Sequence, residues 1–276
     1  MYRFLLKPKW IVFHVVVVAA IVLMVNLAGW QLRRLHERQD FNARVETNTQ
    51  LAVASLTDVV SAVAAADPVG QPIAAESVEW RRVVATGTYL QGEQVEVVNR
   101  SQLGDVGRNI VDVLVLDDGT AVLVNRGFVP STETTPPTPS GEVEVIGRLR
   151  RSEQRRTGQT EDASGVELQQ IRRIDIAKLQ PQIEPALRPM YIEQLQSQPA
   201  EGKWPAPVVA PELGEGPHLS YTFQWLIFSI SVAVGWVFAV RRSAATLSGR
   251  RVPTRKGSPP PIDDELSKEL REKRQS

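Results

Sequence analysis

Residues 11–30, IVFHVVVVAAIVLMVNLAGW, and residues 219–240, LSYTFQWLIFSISVAVGWVFAV, decide how this chain is organised. Neither run holds an Asp, Glu, Lys or Arg. As helices rising 1.5 Å per residue, each is long enough to cross a hydrocarbon core of roughly 30 Å. The polar stretch between them, 33–217, carries 26 acidic and 19 basic residues. The expected fold class is an α+β membrane protein: a two-helix transmembrane hairpin flanking a mainly antiparallel β extracytoplasmic domain with a few helices.

Charge at the ends sets the orientation. Residues 1–10 net +3 and residues 241–276 net +5, whereas the middle nets −7. Lys and Arg flanking a span are retained on the cytoplasmic side, and a long loop translocates largely regardless of its charge. The expected organisation is a cytoplasmic tail at 1–10, transmembrane helix 1 at 11–31, an extracytoplasmic domain at 32–217, transmembrane helix 2 at 218–240, and a cytoplasmic, largely disordered tail at 241–276. A charged helix is expected within that tail at 263–274. The first apolar run is 20 residues and no small-x-small site closes it, so it reads as an anchor and not a cleaved signal peptide. An apolar run that begins at residue 11 leaves no room for a mitochondrial presequence. The expected setting is a bacterial plasma membrane.

Composition removes several functions. Two such spans exclude a freely soluble cytosolic enzyme. The chain has no Cys, which excludes disulfide staples, Fe–S clusters, Cys-based zinc sites and thiolate copper carriage. Three Met do not make a copper shuttle. HExxH, GxSxG, a Walker loop and a GxGxxG opening a helix are all missing from the sequence, so no enzyme activity is expected and no nucleic-acid partner is indicated.

Past Trp30, Leu32, Leu35, Phe41 and Val45 keep a helical spacing, which extends the first helix outward to about residue 48. A second helix is expected at 55–66 with Ser55 or Thr57 as its cap, then a loop over 65–76. From Trp80 the period becomes two: Val83, Ala85 and Tyr89 form a strand, Gln91-Gly92 turns it, and Val95 and Val97 begin its partner. Residues 109–116 and 121–126 are β-rich runs joined by Asp117-Asp118-Gly119-Thr120, a hairpin signal. Strands at 142–150 and 189–195, a helix at 174–180, and exposed loops at 131–141 and 151–165 complete the domain. The stretch 197–217, with five Pro, runs along the surface back to the second span.

Three His are available. His14, in the span, reads as packed and neutral, and His36 as a solvated helix residue. His218 stands at the outer lip of the second span, about 20 Å from the depth of His14, so the two cannot share a metal. At helical spacing His218, Tyr221, Trp225 and Phe228 share a face, and so do Trp30, Arg34 and Arg38. Two readings stand. One is an interfacial aromatic belt with snorkelling arginines. The other is a flat apolar cofactor stacked on the aromatics, with His218 as axial ligand to its metal and Arg34 or Arg38 pairing its carboxylates. In the second span Ser231 and Gly235 form a small-xxx-small pair suited to close helix approach. Asn125-Arg126-Gly127 reads as a structural end to the hairpin, with Gly127 supplying an unusual backbone angle.

Five segments, in order, resemble the Surfeit locus protein 1 family of cytochrome c oxidase assembly factors: GWQLRR at 29–34, EWRRVVATGTYL at 79–90, the long NRSQLGDVGRNIVDVLVLDDGTAVLVNRGFVP segment at 99–130, QIRRIDI at 170–176 and HLSYTFQWLIF at 218–228. Phe128 stands where Trp is usual, and Gly29 is displaced by one. The resemblance implies a non-enzymatic assembly factor or chaperone that assists haem a insertion or stabilisation in subunit I of an aa3-type oxidase. It implies haem a as a possible, transient cofactor, with His218 as the matching iron ligand, and oxidase subunits, the lipid bilayer and other haem a biogenesis proteins as partners. The rival expectation is an accessory or structural subunit of the oxidase, or of its respiratory supercomplex, that binds no haem.

Overall fold

The computed structural model describes residues 3–66, 72–162 and 167–247. The expected helix at 263–274 and most of the expected tail lie outside these residues, as do parts of the loops at 65–76 and 151–165. The chain divides into two units, one formed by its two ends up to Arg34 and from Pro217, the other by Leu35–Gly216.

In chain order the elements are α1 (Pro8–Gln50), β1 (Ala54–Ser55), α2 (Leu56–Ala66), α3 (Pro72–Val78), β2 (Arg82–Tyr89), β3 (Val95–Gln102), β4 (Asp105–Leu116), β5 (Ala121–Pro130), β6 (Glu142–Arg151), β7 (Gln170–Ile171), α4 (Ile176–Leu179), β8 (Met190–Gln198) and α5 (His218–Leu247). Residues 72–76, expected in a loop, belong to α3; Pro72, with φ preset and no N–H to lose, stands at its first position. α5 runs on through residues 241–247, which were assigned to the tail.

Helices α1 and α5 are long and apolar enough to cross a membrane. Their apolar side chains stay outside: Val16, Val22, Leu23, Phe223, Ile230 and Phe238 are exposed.

The domain is a mixed sheet in the order β1-β2-β6-β8-β5-β4-β3-β7, and an additional β2–β4 pairing closes β2, β6, β8, β5 and β4 into a ring. Five pairings are antiparallel, as the hairpin signals required; β1–β2, β3–β7 and β5–β8 are parallel. The hairpin at 117–120 forms as expected, with Gly119 at φ +77°. One expectation fails. β3 is not the partner of β2. β6 occupies one edge of β2, and β1 and β4 occupy the other, so no edge remains for the strand that follows the turn.

Two apolar cores explain the unbroken hydrophobic runs of β4 and β5. Leu114, Leu116, Val122, Val124 and Ile192 face one core with Leu56, Val59 and Val60 of α2. Val111, Val113, Leu123 and Tyr191 face the other with Ile171, Ile176 and Leu179. A strand buried on both faces has no polar alternation to show. The outer half of α1 docks on this domain: Leu35 and Val45 are buried, Phe41 meets Trp80 edge-on at 6.1 Å, and Asn48 Nδ2 donates to the carbonyls of Ser77 and Glu79.

Candidate functional site

Polar contacts join α1 to α5 in the helical unit. His218 Nδ1 lies 2.8 Å from Gln31 Oε1, and Trp236 Nε1 donates to His14 Nδ1 at 2.9 Å. The contacts are separated by about 26 Å along either helix, and they run in opposite senses in the two, which makes the pair antiparallel.

The Gln31 contact bears on the tautomer of His218. An amide oxygen only accepts, so this contact takes an Nδ1–H donor, and the neutral tautomer that satisfies it keeps its lone pair on Nε2. That is the nitrogen an imidazole offers to a metal, with the opposite N–H held by a neighbour as metal-ligating imidazoles require. Of the other expected site residues, Tyr221 is exposed, Trp225 meets Phe228 edge-on at 6.0 Å, and Arg34 Cζ stands 5.7 Å from the Trp30 ring centroid. His14 accepts the Trp236 bond within the helix pair, and His36 is exposed. A methyl at Gly235 would meet open space, so the Ser231/Gly235 pair is not packed against α1.

Arg38 belongs to the domain unit. Its Nε donates to Gly214 O at 2.8 Å and its Nη2 to Glu212 O at 2.7 Å, while Gln39 Nε2 donates to Glu215 Oε1 at 2.9 Å. The outer end of α1 thereby grips the segment that leads into α5.

Sequence reasoning did not single out Gln31, nor a charge cluster inside the domain. β5 carries a bulge between the pairs Ile110↔Gly127 and Val111↔Asn125, and Arg126 is the extra residue. The bulge re-aims its side chain inward. Arg126 Nη1 donates to Asp112 Oδ2 at 2.8 Å, and Nε and Nη2 grip both oxygens of Glu201 at 2.7 and 2.8 Å. Arg126 is 1% exposed and Asp112 0%. Burial works against the guanidinium charge, but the two carboxylates outweigh it and push its pKa above the ordinary arginine value. Burial, with Asp112 adding to it, pushes the nearby Tyr89 phenol up as well. Asn125-Arg126-Gly127 thus lies within a continuing strand, not at the end of the hairpin. Gly127, at φ +139°, lets the backbone bond Ala206 through Phe128 N and O at 2.7 and 2.9 Å. The loop at 131–141, expected to be merely exposed, closes the cluster: Pro137 O accepts from Arg126 and Thr138 Oγ1 donates to Asp112. The Asn-Arg-Gly triplet was the available signal; its charge partners lie 14 and 75 residues away.

A family model described as SURF1 family matches residues 18–230. An uncharacterized SURF1-like protein of Mycobacterium tuberculosis is 32% identical over 264 residues, covering 94% of this chain and 92% of that protein. A SURF1-like protein of Monosiga brevicollis is 25% identical over 84% of this chain and 88% of its own length. Surfeit locus protein 1 of Takifugu rubripes is 30% identical over 48% of this chain and 58% of its own length.

Proposed function

The chain belongs to the SURF1 family of cytochrome oxidase assembly factors, and on that premise we propose that it is a membrane-anchored factor for an aa3-type oxidase that assists haem a insertion or stabilisation in subunit I. In this reading α1 and α5 cross a bacterial plasma membrane, both termini are cytoplasmic and the domain is extracytoplasmic. The exposed apolar helices, the basic tails and the bacterial relatives support it.

The observation that carries the cofactor part is His218 with its Nδ1 held by Gln31 and its Nε2 lone pair available. One imidazole suffices for a metal that brings four macrocycle nitrogens of its own. Tyr221, Trp225 and Trp30 offer aromatic surface to a porphyrin plane, and Arg34 a cation to its carboxylates. Arg38, expected as the alternative cation, already spends N–H groups on Glu212 and Gly214. Haem supplies the iron that the imidazole would ligate; the chain's own part is to hold the group and orient it.

Protein purified from cells that make haem a is expected to show a Soret band that His218→Ala abolishes. A colourless wild type, or an undiminished band in the variant, overturns the cofactor part. The exposed Trp30, Tyr221, Phe223 and Phe228 favour the second reading, a belt-anchored accessory subunit that never binds haem. Restored oxidase with full haem a content in a deletion strain carrying His218→Ala supports that second reading.

A further inference from the structure

A cavity of about 290 Å³ lies within the domain, away from the Arg126 cluster, among Trp80, strands β3, β4, β5, β6 and β8, and the return segment at 208–211. Its lining concentrates unmet hydrogen-bonding demand. Trp80 Nε1, Arg100 Nε, Arg150 Nε, Asn125 Oδ1 and Glu193 Oε2 are buried without a hydrogen-bond partner, and all five side chains line this cavity. Trp80 is 6% exposed and Asn125 2%. Each such atom costs about 1–3 kcal/mol if it stays unpaired. The wall is held firmly. Trp80 sits at φ +73°, fixed by its N–H bond to Leu149 O at 2.8 Å, and the Arg150 guanidinium stacks 3.6 Å from its ring centroid.

We propose that this cavity binds a small organic carboxylate that also carries a hydroxyl or ammonium group. Three N–H donors, on Trp80, Arg100 and Arg150, call for an anionic acceptor group, and two acceptor oxygens, on Asn125 and Glu193, call for a donor beside it. The stacked indole and guanidinium present flat edges suited to a planar carboxylate. Glu153, paired with Arg100 at 2.7 Å, and Glu193 also line the cavity; they oppose a phosphate dianion about twice as strongly as a singly charged carboxylate, whose attached hydroxyl or ammonium can donate to them. Glu193 faces Arg148 as an ion pair at 2.8 Å. Phe128, Val208 and Val209 cover a short carbon skeleton. The volume exceeds the roughly 30 Å³ share of one water several-fold, and it is too small for a peptide or nucleotide. Entry passes the return segment, which is tied here by Arg148 Nη2 to Val208 O at 2.8 Å and Val209 N to Gln102 Oε1 at 3.1 Å.

The test is calorimetric titration of the full chain in detergent with L-lactate, L-serine, acetate and inorganic phosphate. Lactate or serine is expected to bind, with acetate, which lacks the donor, and phosphate at least fivefold weaker. Trp80→Phe removes the Nε1–H and keeps a ring; it is expected to weaken binding five- to tenfold. Arg100→Lys is expected to do the same, and Arg155→Ala, at an exposed site, to change nothing. The proposal is overturned if neither lactate nor serine binds, if phosphate binds as tightly, if a folded Trp80→Phe protein binds as well as wild type, or if a high-resolution structure with millimolar lactate shows ordered water only.

Discussion

His218 Nδ1 and Gln31 Oε1 meet at 2.8 Å although 187 positions separate them in the chain. On the proposed reading, the contact favours the tautomer that keeps its lone pair on Nε2, and Gln31 acts through His218. Gln31→Leu is expected to lower bound haem several-fold while leaving the fold intact. Gln31→Glu, a stronger acceptor, is expected to retain haem and lower its midpoint potential. Visible spectra and a redox titration of the two variants check this; equal haem content in Gln31→Leu defeats it.

Trp236→Phe takes the donor from His14 Nδ1 at the other end of the helix pair. Cross-helix hydrogen bonds in membranes are worth about 0.6 kcal/mol, rarely above 1.7. The variant is expected to lose stability on that scale in detergent unfolding, with no change in the Soret band.

Arg126→Met strands Asp112 and Glu201 in the interior, and breaking a buried pair by removing one partner costs about 3–5 kcal/mol. Replacing Asp112 by Asn and Glu201 by Gln in the same chain is expected to recover much of that loss, as read by chemical denaturation. Gly127→Ala is expected to destabilise by about 1–3 kcal/mol or more, because φ +139° disfavours a side chain and the new methyl would collide with Ala206 O.

Burial works to raise the Glu96 carboxyl, but the Thr135 hydroxyl and Arg108 outweigh it and hold the pKa below the usual carboxylate value. A depressed folded-state pKa contributes stability above the ordinary value, lost as pH falls through the folded one. Glu96→Gln is expected to cost about 1 kcal/mol at pH 7, with the difference from wild type vanishing in acid. Melting curves across pH decide it; a constant difference at all pH values counts against it.

The two long apolar helices, the 117–120 hairpin and the β-rich runs were legible because each is written in local chemistry: an uncharged stretch, an Asp-Gly turn, Val and Ile in succession. The failures were of other kinds. The partner of β2 was misassigned because a turn shows that two strands are adjacent in sequence, not which edges other strands have taken. Residues 72–76 looked like loop because Pro reads as a breaker, although Pro also starts helices. In the site, His218 and the aromatics were named from spacing along one helix; Gln31 was missed because nothing in GWQLRR distinguishes a glutamine facing lipid from one facing an imidazole.

Family membership, the two apolar helices and the residue types at the outer helix ends came from sequence, since hydropathy and motif order survive without coordinates. Which atoms pair came only from the tertiary structure: Gln31 with His218, Arg38 with the carbonyls of Glu212 and Gly214, and Arg126 with Asp112 and Glu201. The reason is physical. A hydrogen bond depends on distances of a few tenths of an ångström between groups far apart in the chain; for Arg126 those distances are set by a one-residue bulge and for Gln31 and Arg38 by how α1 packs, which no local pattern encodes.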